Sequence, residues 1–215
     1  MAVEPNAPPP NVALGGRYYT GRGAFLDEGG FPTRRAFHDG ILQAIRKTQA
    51  TGTCDQAMDL DVALERLKAA FVAAGEKGGR ILFMGNGGSA SIASHMAVDF
   101  TKNGAMPALA FNDVAMLTCL ANDFGYEQVF ERQLAYYARA EDVAVIISSS
   151  GRSPNILRSA GAARSAGLSV LATFSGMDPN NRLRAQGDLN FWTPCHDYGL
   201  VEIAHLSLLH SLVSL

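Results

Sequence analysis

The chain has 215 residues, of which 47% are hydrophobic and 18% charged, with a formal net charge of −2. That length suits one α/β domain with a sizeable core, and the near-neutral, scattered charge excludes the basic footprint of a nucleic-acid or membrane-surface binder. Cys54, Cys119 and Cys195 are far apart, odd in number and without a CxxC pair, which speaks against a disulfide framework or thiolate zinc site and for a reducing cytoplasm.

Residues 1–33 are rich in Pro and Gly and lack sustained periodicity, so they are expected to form a flexible or subunit-contacting arm. Their opening, "MAVEPNAPPPNVALGG", lacks the basic start and apolar middle of a signal peptide. From Thr33 onward Phe37, Ile41, Leu42 and Ile45 recur on one face of a helix. A second helix is expected from Asp55 to Ala74, with Met58, Val62, Leu67 and Phe71 inward, broken by "GEKGG". Short apolar runs then alternate with helical patterns. "RILFM" (80–84) reads as a buried strand, 89–101 as a helix and "PALAFN" as a strand. Residues 125–138 read as a helix carrying Val129, Phe130, Leu134 and Tyr137 on its apolar face, and "DVAVIIS" as the next strand. A helix over 154–166, the strand "LSVLATF", the weaker strand "DLNFWTP" and a closing helix over 198–215 complete the chain. Strands separated by helices of this length predict a parallel sheet covered on both faces. No apolar run approaches the roughly 20 residues that a membrane-spanning helix needs.

Two strand-to-helix turns stand out: Gly85-Asn86-Gly87-Gly88-Ser89 and Ser148-Ser149-Ser150-Gly151-Arg152-Ser153, the second followed by Pro154 at a helix start. In a doubly wound sheet such turns lie at the carboxyl ends of the strands, where ligands bind. Glycines let backbone N–H groups approach an anion, the helix end adds positive potential, and serines add short donors. With no GxGxxG fingerprint and no GK[ST] ending, the turns suit a phosphomonoester and no nucleotide cofactor. Arg152 either pairs with the anion or sits in solvent.

His95 and Asp99, four apart on the helix that leaves the first turn, share one face. The closing helix carries Glu202, His205 and His210. Glu202 and His210 are eight residues apart, roughly 12 Å along the axis, and share a ligand only if both lean toward a point between them. His205 is read as a hydrogen-bonded packing residue; His38 and His196 have no partner discernible in the sequence.

The segments "GNGGSASIASH", "LANDFGYEQVFERQL", "SSSGRSPNIL" and "VEIAHLSLLH" resemble, in content and order, the sedoheptulose 7-phosphate isomerase (phosphoheptose isomerase) family of SIS-domain proteins, over roughly residues 36–215. The resemblance implies a single SIS domain over 34–215. Its fold would be an αβα sandwich with a flavodoxin-like parallel sheet and an N-terminal helical extension. It implies a homotetramer with active sites shared between subunits. It also implies isomerisation of sedoheptulose 7-phosphate to D-glycero-D-manno-heptose 7-phosphate for heptose-containing glycans, with zinc in several members. By position, Asn86, Gly87 and Gly88, with Ser89 beside them, match the family's first substrate loop, and Asn122 and Asp123 its substrate-contacting pair. Ser148, Ser149, Ser150 and Ser153 match the phosphate loop. His95 and His210 match metal-site histidines, and His210 also the proposed acid. Asp99 stands where the family has Glu, its proposed base, and Glu202 where it has Gln.

The expected chemistry is aldose–ketose isomerisation through a cis-enediol. Asp99 would remove the proton beside the ketone, His210 would protonate the carbonyl oxygen, and Glu202 would raise the carboxylate's pKa by like charge. Alternatively His95, Asp99, Glu202 and His210 hold a zinc ion that polarises the substrate oxygens. The competing readings are an isomerase for a different sugar phosphate, a non-catalytic regulatory relative that associates with a replication initiator, and a sugar-phosphate-sensing module.

Overall fold

Residues 33–214 of the computed structural model are described here. Four fully or almost fully buried apolar runs carry the architecture: β3 (Ile81–Gly85), β5 (Val143–Ser148), β6 (Val170–Gly176) and β7 (Leu189–Thr193). Runs of this kind have no polar face to give to water, so helices must cover both sides. With the short edge strand β4 (Ala108–Ala110) they form a parallel array in the order β4-β3-β5-β6-β7. Counted from the amino end among themselves, these five run 2-1-3-4-5, the flavodoxin-like order. Register is continuous across the centre, with Ile81 opposite Val143 and Val143 opposite Val170.

Strand residues alternate between two cores. Phe83, Val145 and Phe174 join Phe71 of α2 (Leu60–Glu76), Phe100 of α3 (Gly88–Lys102) and Leu209 of α7 (Tyr198–Ser214). Leu82, Met84 and Ile146 face Leu120 of α4 (Val114–Phe124), Phe130 and Leu134 of α5 (Val129–Tyr137), and Ile156 of α6 (Pro154–Ser165). At the amino end of the array Asp142, fully buried, accepts from the Arg80 and Arg139 amides and from the Arg80 guanidinium at 2.8–3.2 Å. No helix among the described residues is long and apolar enough to cross a membrane.

The chain divides into two units, Met1–Asp39 and Gly40–Leu215. The expected arm over 1–33 lies, Thr33 apart, outside the described residues. In the first unit Thr33 Oγ1 accepts from the Ala36 amide at 3.1 Å and starts α1 (Arg34–Lys47).

Three expectations need correction. The sheet is mixed: β1 (Gln49–Thr51) pairs antiparallel with β7, and β2 (Ala57–Met58) with β1. The second helix therefore starts five residues late. Cys54 and Asp55 adopt positive φ (58° and 56°), turning the chain into the β1–β2 hairpin, and Asp59 caps α2 by accepting from the Asp61 and Val62 amides. Met58 is thus a strand residue, and Val62 is 48% exposed, as is Leu42 of α1 at 53%. Finally, the helix expected over 125–138 is a 3-10 turn (Tyr126–Gln128) followed by α5, with Tyr137 exposed. Before it runs α4, where the sequence pattern predicts no element.

Candidate active site

The switch point of the array lies between β3 and β5, and both glycine- and serine-containing turns leave the carboxyl ends of those two strands. After β3 the chain passes through Gly87, with φ 56°, into α3. The α3 amino end is crowded by the carboxylate of Glu202: a Cβ at position 88 would overlap it, so a side chain there would have to displace that carboxylate. Glu202's pKa is pushed upward, first by burial and then by the nearby Asp197 carboxylate.

After β5, Ser148 Oγ accepts from the Gly151 amide at 3.1 Å and Ser150 Oγ from the Arg152 amide at 3.4 Å. Gly151 (φ 60°) packs against the Asn181 amide, where a side chain would collide. Ser149 Oγ is buried without a protein partner among the described residues. Ser153 has the extended backbone of an N-cap, but its side chain makes no capping bond. Two of the four serine hydroxyls, those of Ser149 and Ser153, are therefore not consumed by the loop or the helix start. Arg152, left open between anion and solvent by the sequence, pairs with Asp178 of the segment that follows β6. The last residue of β6, Gly176, donates its amide to Ser149 O at 3.1 Å.

Packing of α7 against α3 joins residues 115 apart in sequence. His95 Nε2 and His210 Nε2 are 3.1 Å apart, His210 Nδ1 lies 3.3 Å from Asp99 Oδ2, and His95 Nε2 lies 3.6 Å from the same oxygen. One candidate ligand atom from each of the three residues falls within 4.8 Å of the others. Two imidazoles and one carboxylate, with His95 52% and His210 38% exposed, match the donor chemistry of a three-ligand divalent-metal site with open positions.

Glu202 does not join this trio. The structure puts its carboxylate at the first turn of α3, against Gly88, two turns of α7 away from His210. Asn122 and Asp123 sit on the last turn of α4, exposed, with Asn122 Nδ2 donating to Asp123 Oδ1 at 2.9 Å. Asn86 turns its amide into the protein: its Oδ1 accepts from Tyr126 Oη at 3.1 Å and Asn155 Nδ2 at 2.9 Å, and its Nδ2 donates to Asn155 Oδ1 at 2.9 Å. Tyr126 and Asn155 lie inside the segments "LANDFGYEQVFERQL" and "SSSGRSPNIL", but their types carry no charge or strong nucleophile that would single them out in the sequence. His205 is a packing residue, fully buried, its Nε2 donating to Ser175 O at 3.1 Å, with burial lowering its pKa to about 4.

The SIS-domain family model matches residues 45–175. The chain is 33% identical over 177 residues to the phosphoheptose isomerase of Proteus mirabilis, covering 78% of this chain and 91% of that one. With the phosphoheptose isomerase of Paramagnetospirillum magneticum it shares 38% over 154 residues, 69% and 79% of the two chains. The solved structure of phosphoheptose isomerase from Neisseria gonorrhoeae superposes with a TM-score of 0.71 at 27% identity, covering 84% of this chain and 94% of that one.

Proposed function

This chain belongs to the phosphoheptose isomerase family of SIS-domain proteins, and from that membership we propose that it interconverts sedoheptulose 7-phosphate and D-glycero-D-manno-heptose 7-phosphate, supplying heptose for glycans. The observation that carries the reading is the meeting of Asp99 and His210 at 3.3 Å, from two helices, one of which begins at a turn on the sheet's switch point.

The phosphate is assigned to the turn after β5, where the α6 amino end and the unconsumed hydroxyls of Ser149 and Ser153, with Ser148 and Ser150 shaping the loop, favour a dianion. The sugar chain then runs along the Gly87, Gly88 and Ser89 backbone, with Asn122 and Asp123 at the rim and Glu202 facing the chain's hydroxyls. Its carbonyl end meets the trio. Asp99 takes a proton from the hydroxymethyl carbon while His210 gives one to the carbonyl oxygen, forming the cis-enediol. Return of a proton to the second carbon, with loss of one from the first hydroxyl, yields the aldose. His95, Asp99 and His210 are the residues that would hold a divalent cation such as zinc, which when bound supplies polarisation of the substrate oxygens. The reading also carries a cytoplasmic homotetramer; exposed Val98, Leu109 and Val114 are apolar surface suited to subunit contacts.

The test is incubation with sedoheptulose 7-phosphate in D2O, with fructose 6-phosphate as comparison, followed by NMR. Deuterium entering the carbon beside the carbonyl, with the aldose phosphate appearing, is the expected result. Absence of exchange with every ketose phosphate tried would sink the assignment in favour of a non-catalytic regulator.

A further inference from the structure

The hydrogen bonds of Asn86 do not point outward to a ligand. Its carboxamide oxygen accepts two bonds and its nitrogen donates one, all to protein groups, at 2.9–3.1 Å. The partners belong to different parts of the site. Asn155 is 2% exposed and lies two residues beyond Ser153, on the first turn of α6. Tyr126 opens the short turn after α4, three residues beyond Asp123. Asn155 Oδ1 also accepts from the Ile156 amide at 3.0 Å, which fixes the orientation of its own amide. One buried carboxamide therefore joins the glycine turn after β3 to the helix that starts at the serine turn, and one phenol joins the Asn-Asp end of α4 to the same point.

We propose that Asn155 and Tyr126 are positioning residues that, through Asn86, set the separation between the phosphate-holding turn and the sugar-holding turn. The inference rests on the isomerase reading and adds to it: Asn86 acts from behind the loop, and only the loop's backbone reaches the ligand. A sugar phosphate held at one end by the serine turn must present its carbonyl carbon to Asp99 at the other. An error of about 1 Å in the spacing of the two turns passes directly into the distance of the reacting carbon, and such misplacement can cost about a hundredfold in rate. Phosphate binding itself uses only the serine turn and is untouched by that error. The brace therefore acts on turnover and leaves anion affinity alone.

The experiment measures kcat and KM for sedoheptulose 7-phosphate, the inhibition constant of inorganic phosphate, and the thermal midpoint in wild type, Asn155→Ala, Asn155→Asp and Tyr126→Phe. Asn155→Asp keeps the volume and suits a helix first turn, but turns one bond to Asn86 into a clash of oxygens. Tyr126, 54% exposed, loses only a hydroxyl, so that variant folds whatever happens to the others. Both Asn155 variants are expected to lose about ten- to a hundredfold in kcat, and Tyr126→Phe about threefold, with the phosphate inhibition constant within twofold of wild type in Asn155→Ala and Tyr126→Phe; the added charge of Asn155→Asp weakens phosphate by repulsion alone. Wild-type kcat in Tyr126→Phe and in whichever Asn155 variant folds overturns the proposal. So does a phosphate inhibition constant that weakens in step with kcat in Asn155→Ala or Tyr126→Phe, because that would mark a loop that has lost its shape as a whole. A wild-type protein inert toward every ketose phosphate refutes the isomerase reading instead, and the two failures are told apart by that control.

Discussion

In the proposed mechanism Asp99 is the side chain on which both chemistries converge, as proton acceptor and as the carboxylate that stands beside His95 and His210. Asp99→Asn keeps the shape, removes the base and weakens the ligand set. Turnover is expected to fall by at least about a hundred- to ten-thousandfold, the range lost with a general base, measured as the initial rate with sedoheptulose 7-phosphate. His205, five residues before His210 on α7, illustrates the opposite fate of an imidazole. Its folded pKa of about 4 lies below the ordinary 6.5, so the unfolded chain binds the proton more tightly. Stability is whole above pH 6.5 and is lost as pH falls toward 4, by up to about 3 kcal/mol. Urea unfolding across that window is expected to show the loss, and His205→Gln to flatten it. The packing role of His205 was legible in the apolar run that surrounds it, Ile203, Ala204, Leu206, Leu208 and Leu209. The place of Glu202 was not: helical spacing shows that it stands roughly 12 Å along the axis from His210, but only the tertiary packing of α7 on α3 shows that its carboxylate lies against Gly88 at the first turn of α3.

Among the elements, those that could be read in advance were the ones whose residues leave no choice. Continuous apolar runs such as "RILFM" and "VAVII" have nowhere to go but the middle of a covered sheet. Strands β1 and β2, of three and two residues, carry too little pattern to be seen, and the left-handed Cys54 and Asp55 that create their hairpin are residue types that announce nothing of the kind. Helix α4 packs Met116, Leu117, Leu120 and Ala121 on the second core, but Val114, Ala115 and Cys119 on its other faces mask that stripe in the sequence. The Arg80–Asp142 clamp shows how the central strands enter the sheet in register. A fully buried carboxylate there is matched by two amides and a guanidinium. Asp142→Ala strands the half-buried Arg80 charge and both amides. It is expected to destabilise the fold by about 3–5 kcal/mol, read as a shift in the urea midpoint, while Asp142→Asn, which keeps an acceptor, loses less.

At the scale of the whole molecule, alternating strands and helices foretold a parallel sheet. Their order could not be foretold, because every strand is equally apolar and nothing in a single strand names its neighbour. That order decides where the site lies: the chain turns back between β3 and β5, and the amino ends of α3 and α6 open side by side at the carboxyl edge. A dianion bound there is held only by the native arrangement, so it must stabilise the fold by mass action. At a phosphate ester concentration a hundred times its dissociation constant the gain is about 2.7 kcal/mol, visible as a rise in the thermal midpoint that grows with ligand concentration. Ser149→Ala is expected to remove most of that rise for inorganic phosphate and for sugar phosphate alike, since it takes away a buried hydroxyl with no protein partner among the described residues. Asp99→Asn is expected to keep the rise for both while turnover is lost. If the two variants exchanged these behaviours, the phosphate would have to lie at the imidazole end, and the direction in which the substrate threads the site would be reversed.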